Sequence, residues 1–121
     1  MIDTELNKEA QTKPELYTVL TTGRVLHLTL KRKWFDMIAH GIKTEEYREI
    51  KPYWTKRFKN FLVDQPFDYV IFKNGYAKDC PEIKVELLGI EFGESKVEWS
   101  GEQKKCYVLK LGDVLYNSLL F

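Results

Sequence analysis

The stretch Gly41-Ile42-Lys43-Thr44-Glu45-Glu46-Tyr47-Arg48 follows an amphipathic helical pattern and opens what reads as a strand. Gly41 suits the residue just past a helix, where a left-handed backbone is wanted and a Cβ would interfere. In a strand, Thr44, Glu46 and Arg48 share one face, and Glu45, Tyr47 and Glu49 take the other. Glu46 and Arg48 are then same-face neighbours, with Lys43 at the mouth where helix turns into strand. A guanidinium fixed beside a carboxylate suits a planar or anionic ligand. The competing reading is a solvated edge strand with surface ion pairs, which are common and weak.

Upstream, residues 25–30 read as a strand in which Leu26, Leu28 and Leu30 alternate with Val25, His27 and Thr29. His27 falls on the mixed face and is expected to be structural. Residues 31–40 read as a helix whose stripe Trp34, Phe35, Ile38 and Ala39 faces the core. Its first turn carries Lys31, Arg32 and Lys33, where the helix dipole disfavours cations by less than about 1 kcal/mol. That placement hints at a use outside the fold. Residues 1–23 are polar, interrupted by Pro14, and predict a loosely docked arm ahead of a single domain spanning 24–121.

Downstream, Ile50, Trp54, Phe58, Phe61 and Leu62 predict a second helix, with Pro52 in its first turn. Tyr53 and Trp54 read as packing residues, with stacking against a base as the alternative. Residues 67–72 are nearly continuous apolar sequence and predict a strand buried on both faces. They lead into Asn74, Gly75 and Tyr76, a turn at a strand end, where binding groups tend to sit. Between 83 and 92 the apolar alternation slips by one residue next to Gly89, which predicts a β-bulge. Residues 93–104, which include Trp99, read as a long polar hairpin loop. Residues 106–111 form the last predicted strand. Gly112-Asp113 reads as a turn into an apolar tail that docks on the core.

The 121 residues carry a net charge of +1, unevenly spread. Residues 24–59 hold ten cations against four carboxylates, whereas residues 60–121 hold seven against ten. The basic third contains the opening motif, as a phosphate-facing patch would; a solvated basic helix face is the alternative. Cys80 and Cys106 lie in no CxxC pair and far in sequence from His27 and His40, which argues against a zinc site. Cys106 reads as a core residue and Cys80 as a loop thiol. No apolar run is long enough to span a bilayer, and the first residues lack the pattern of a secretory signal. The expectation is a cytoplasmic protein without a cofactor or a membrane partner.

About five to six strands with two early helices give an α+β reading: a small curled sheet or barrel with helices plugging one end. The order strand, helix, Gly-x-Lys-x-x-Glu-x-Arg, then further strands resembles the ASCH domain, a small PUA-like β-barrel. Gly41, Lys43, Glu46 and Arg48 match its motif in full, and the resemblance spans about residues 24–115. It is closest in style to small stand-alone bacterial and phage versions. The resemblance implies a cleft for RNA or a nucleotide, lined by Lys43, Glu46 and Arg48. Some small relatives deacetylate a modified cytidine with the motif lysine, a nearby threonine and a distant glutamate. Here Thr44 follows Lys43, but Glu46 stands at the position of the catalytic threonine. Glu98 and Glu102 occupy the right part of the chain for the distant glutamate, in a shorter loop.

Three functions follow as expectations. As an RNA or nucleotide binder, Lys43 and Arg48 contact phosphate or a base edge, Glu46 orients Arg48, and Tyr47 or Tyr76 stacks. Thr44 and Asn74 complete the candidate ligand-binding set. As an amidohydrolase on acetylated cytidine, Lys43 acts as base or nucleophile and Glu46 handles the proton. As a non-catalytic protein-interaction domain, the motif merely braces the barrel.

Overall fold

A computed structural model describes residues 23–61 and 63–120, so all but Gly23 of the expected arm lies outside the described residues. The order of elements is β1 (Val25–Thr29), α1 (Arg32–Ala39), β2 (Glu45–Arg48), α2 (Pro52–Arg57), β3 (Tyr69–Lys73), β4 (Glu82–Glu94), α3 (Val97–Ser100) and β5 (Lys105–Asn117). A 3₁₀ turn, Ser118–Leu120, follows. The five strands form one sheet in the order β1-β3-β4-β5-β2. β1 pairs with β3 in parallel and every other pair is antiparallel.

Each strand sits where its side-chain period puts it. Leu26 and Leu28 turn inward from β1, opposite Val70 and Phe72 of β3, while His27 and Thr29 stay exposed. Val70, Ile71 and Phe72 are all buried, which explains the unbroken apolar run in β3. α1 contributes Phe35 and Ile38 to the core, and the turn after α2 contributes Phe58. Fully burying each such side chain stabilises the fold by about 1.5–3 kcal/mol. Gly41 takes φ +76° just beyond α1, the left-handed geometry expected there.

The β4–β5 hairpin is the spine and also the bend. Its register slips between Lys84 and Gly89, close to the predicted bulge. Three expectations need correction. Gly112-Asp113 is no turn: β5 runs through it to Asn117, and the first part of the expected tail, Val114 to Asn117, pairs with β4 as strand. The Asp113 amide donates to Glu86 across the sheet at 2.9 Å, and a Cβ on Gly112 would lie 2.5 Å from the same carboxylate. That partner is invisible to local sequence. α2 is shorter than predicted because Asn60 turns left-handed at φ +66°, and Ile50, which precedes the helix, is exposed rather than packed. Finally, the 93–104 loop holds a third short helix, α3.

The curl of the sheet leaves β1 and β2 as its two edges. One long hydrogen bond, from Arg48 Nη2 to the Thr29 carbonyl at 3.4 Å, links them. The molecule is thus a half-barrel with a split between its edge strands. Among the described residues no helix is long and apolar enough to cross a membrane.

Candidate functional site

The split between β1 and β2 holds a cleft of about 310 Å³. The end of β1 supplies Thr29, the link to α1 supplies Leu30 and Lys31, and α1 supplies Trp34. β2 supplies Glu46, Tyr47 and Arg48, and the hairpin helix α3 adds Trp99 and Ser100. Two tryptophans, one carboxylate and two cations therefore belong to residues around a single hollow, and Tyr47 borders it from the opposite face of β2. Pockets that hold small ligands start at about this volume.

The cleft floor is an ion triad. Lys43 Nζ lies 3.0 Å from Glu46 Oε1, and Arg48 Nη1 lies 2.8 Å from Glu46 Oε2. Lys43 also donates to the Glu45 carbonyl. Its side chain is 0% exposed, so the ammonium sits behind Glu46 and does not line the cleft. Burial pushes the Lys43 ammonium below the ordinary lysine range, against the opposing pull of Glu46. The Tyr47 ring covers it at 4.6 Å, and the Trp34 ring lies 5.8 Å away. Arg48 donates again to the Tyr47 carbonyl at 3.2 Å, and its guanidinium lies 5.3 Å from the Trp54 ring centre. Two cations thus share one carboxylate, and a surplus positive charge remains at the floor. Lys31 adds another at the rim.

The other face of β2 carries a second network. Tyr47 donates its hydroxyl to Glu45 Oε1 at 2.8 Å, and Lys110 of β5 reaches Glu45 Oε2 at 2.6 Å. Lys110 also meets Glu91 of β4 at 3.5 Å. Burial alone would raise the Glu45 carboxyl, but the bonds from Lys110 and Tyr47 outweigh it and hold the group below its ordinary range. Burial and the bond to Glu45 raise the Tyr47 phenol, which therefore stays protonated.

The face assignment of the opening motif is what the structure shows: Glu46 and Arg48 pair on one side, Glu45 and Tyr47 on the other. Of the predicted site residues, Glu46, Tyr47 and Arg48 meet at the cleft. Lys43 stands behind them. Thr44 is exposed outside the cleft, where its carbonyl accepts the Leu111 amide at 3.0 Å. Asn74 braces the cleft wall from behind, donating to the Leu30 carbonyl at 3.0 Å. Tyr76 is 92% exposed and lies apart from the cleft. Glu98 is also apart, and Glu102 lines a neighbouring hollow of about 130 Å³ and pairs with Lys104 at 3.2 Å.

Sequence reasoning missed Lys31, Trp34, Trp99 and Ser100 as cleft residues. Trp34 leads the apolar stripe of α1 but is only half-buried, and its free part turns to the cleft. Lys31 did carry a signal: it belongs to the unfavourably placed cations at the start of α1. Trp99, a lone large ring in a polar loop, was the other. Burial raises the Cys106 thiol, as befits an inert core residue. Among the described residues no group of three or more His, Cys, Asp or Glu is placed to hold a metal ion. Comparison of the chain with protein-family models, with curated proteins and with solved structures found no match.

Proposed function

We propose that this domain binds a nucleotide or one exposed base of an RNA in the cleft between β1 and β2. The observation that carries the reading is the convergence of Arg48, held by Glu46, with Trp34, Tyr47 and Trp99 on one hollow. Aromatic faces accept a base by stacking, and a guanidinium accepts phosphate or a base edge. The surplus positive charge at the floor and Lys31 at the rim favour an anionic ligand. The full Gly-x-Lys-x-x-Glu-x-Arg motif and its resemblance to ASCH domains support the same reading. Lys43 serves it indirectly, by holding the Glu46 carboxylate in place at 3.0 Å.

The test is titration of the protein with nucleosides, nucleoside monophosphates and short RNAs, followed by calorimetry and amide chemical shifts. Wild type is expected to bind at low salt, with shifts centred on 29–34, 46–48 and 99–100. Arg48→Ala is expected to weaken binding about tenfold or more, the value of one good charged fork. Trp99→Ala is expected to lose several-fold through lost stacking. Unchanged affinity in both variants would remove the reading.

One observation favours a second reading, deacetylation of an acetylated cytidine: Lys43, with its ammonium pushed down, touches a carboxylate that faces the cleft. Because Lys43 itself is enclosed, Glu46 would be the group in contact with substrate. Incubation with acetylated cytidine, read as acetate release, decides it. No turnover above background at high protein concentration sinks this second reading and leaves the first standing.

A further inference from the structure

Beside the cleft, α2 presents a basic face. From Ile50 to Val63 the chain holds Lys51, Lys56, Arg57 and Lys59 and no carboxylate. Lys51 is neutralised by Glu49 at 3.1 Å. Among the described residues, the other three form no ion pair. Lys56 and Lys59 are exposed. A basic face alone is commonly just solvated. Here it surrounds an aromatic ring that is exposed yet held in place. Tyr53 is 57% exposed. The Trp54 ring stands edge-on to it, with centroids 4.7 Å apart, and Arg57 Nη1 donates to its hydroxyl at 3.1 Å. An unburied ring with so few degrees of freedom loses little entropy on stacking.

This platform connects to the cleft. Trp54 lies between Tyr53 and Arg48, at 4.7 Å from the first ring and 5.3 Å from the guanidinium. Those two steps are within the reach of one or two nucleotides of an extended strand. Interleaved cations and stacking rings along one track are the arrangement that holds single-stranded nucleic acid without reading its sequence.

We propose that α2 forms a second nucleotide subsite, so that the ligand is a single-stranded RNA rather than a free nucleotide. One base occupies the cleft, a neighbouring base stacks on Tyr53, and the phosphates beside it meet Lys56 and Lys59. The inference rests on the cleft reading above and adds the route of the ligand: the strand leaves the cleft past Arg48 and Trp54.

The experiment compares a nucleoside monophosphate with a single-stranded hexanucleotide on wild type, Tyr53→Ala, Tyr53→Phe, the double variant Lys56→Ala/Lys59→Ala, and Arg48→Ala. Wild type is expected to bind the hexanucleotide at least about tenfold tighter than the monophosphate, one stacked base being worth that much. Tyr53→Ala is expected to lose about five- to tenfold on the hexanucleotide and nothing on the monophosphate, while Tyr53→Phe, which keeps the ring but loses the bond from Arg57, is expected to fall between wild type and Tyr53→Ala on the hexanucleotide and to match wild type on the monophosphate. The double lysine variant is expected to flatten the dependence of log affinity on log salt by about 1. All changed residues except Arg48 are exposed or half-exposed, and thermal melts check that each variant folds. If the hexanucleotide binds no tighter than the monophosphate, or if Tyr53→Ala leaves it unchanged while Arg48→Ala weakens both ligands, the second subsite is overturned and the cleft stands. If wild type binds neither ligand, both fall.

Discussion

Glu45 and Glu46 are neighbours on a four-residue strand, yet the networks they anchor carry opposite surplus charge. Glu46 is shared by Lys43 and Arg48, two cations on one carboxylate. Lys110 is shared by Glu45 and Glu91, two carboxylates on one cation. The Glu46 side is also the drier: the Lys43 side chain is fully enclosed, whereas that of Lys110 is 42% exposed. The Glu45 side ties edge strand β2 to β5 and, through Lys110, to β4 beyond it. It braces the sheet. The Glu46 side ties β2 to no hydrogen-bonded neighbour strand, reaching only the Thr29 carbonyl across the split, and gathers two cations on one carboxylate. A fold in need of bracing alone would balance its buried charges, because an uncompensated charge in low dielectric is costly. The difference between two adjacent residues thus separates a network that braces the sheet from one that lies beside the cleft.

The sharpest way to break that comparison is Glu46→Ala. It leaves Lys43 with only the Glu45 carbonyl and Arg48 with only backbone acceptors. Removing one partner from a buried ionic cluster costs about 3–5 kcal/mol. The urea midpoint at neutral pH should fall by that amount divided by the slope of the transition. The loss has a ceiling, since Lys43 is already pushed toward deprotonation and without Glu46 will shed its proton at lower pH still. The cost should therefore shrink as the pH is raised toward 10. A loss below about 1 kcal/mol at neutral pH would show that Lys43 reaches water after all, and the contrast between the two sides would collapse.

The same contrast marks how far local sequence carries. Period-two alternation separates Glu46 and Arg48 from Glu45 and Tyr47 without any knowledge of the sheet. Gly41 and Pro52 mark helix ends through their own backbone limits, and Gly89 marks a slip in register. These are properties of residues a few positions apart. What escapes is whatever a distant strand decides. Gly112 and Asp113 look like a turn until Glu86 is placed across from them. The aromatic wall of the cleft escapes for the same reason: Trp99 arrives from the far end of the β4–β5 hairpin, more than fifty residues after Glu46. That Lys43 is enclosed rather than presented also depends on Trp34 and Tyr47 closing over it. The bond that Asn74 donates to the Leu30 carbonyl is equally hidden, because that acceptor follows a strand more than forty residues earlier.

The smallest expected effect is on the bracing side, and it separates the two networks by pH. Glu45→Gln keeps an acceptor for the Tyr47 hydroxyl but removes the charge that Lys110 meets at 2.6 Å. Because Lys110 is substantially exposed, it rehydrates, and the loss at neutral pH should be about 1 kcal/mol or less. The folded Glu45 carboxyl lies below its ordinary 4.5, so its contribution is complete above that value and disappears as the pH falls through the folded value. The gap in stability between wild type and Glu45→Gln should accordingly be flat from pH 7 down to about 5 and then close. Taking the difference cancels the other carboxylates that both proteins titrate. A gap that widens in acid would mean that burial, rather than Lys110 and Tyr47, governs the carboxyl; Glu45 would then be a strained group like Lys43 and no counterpart to it.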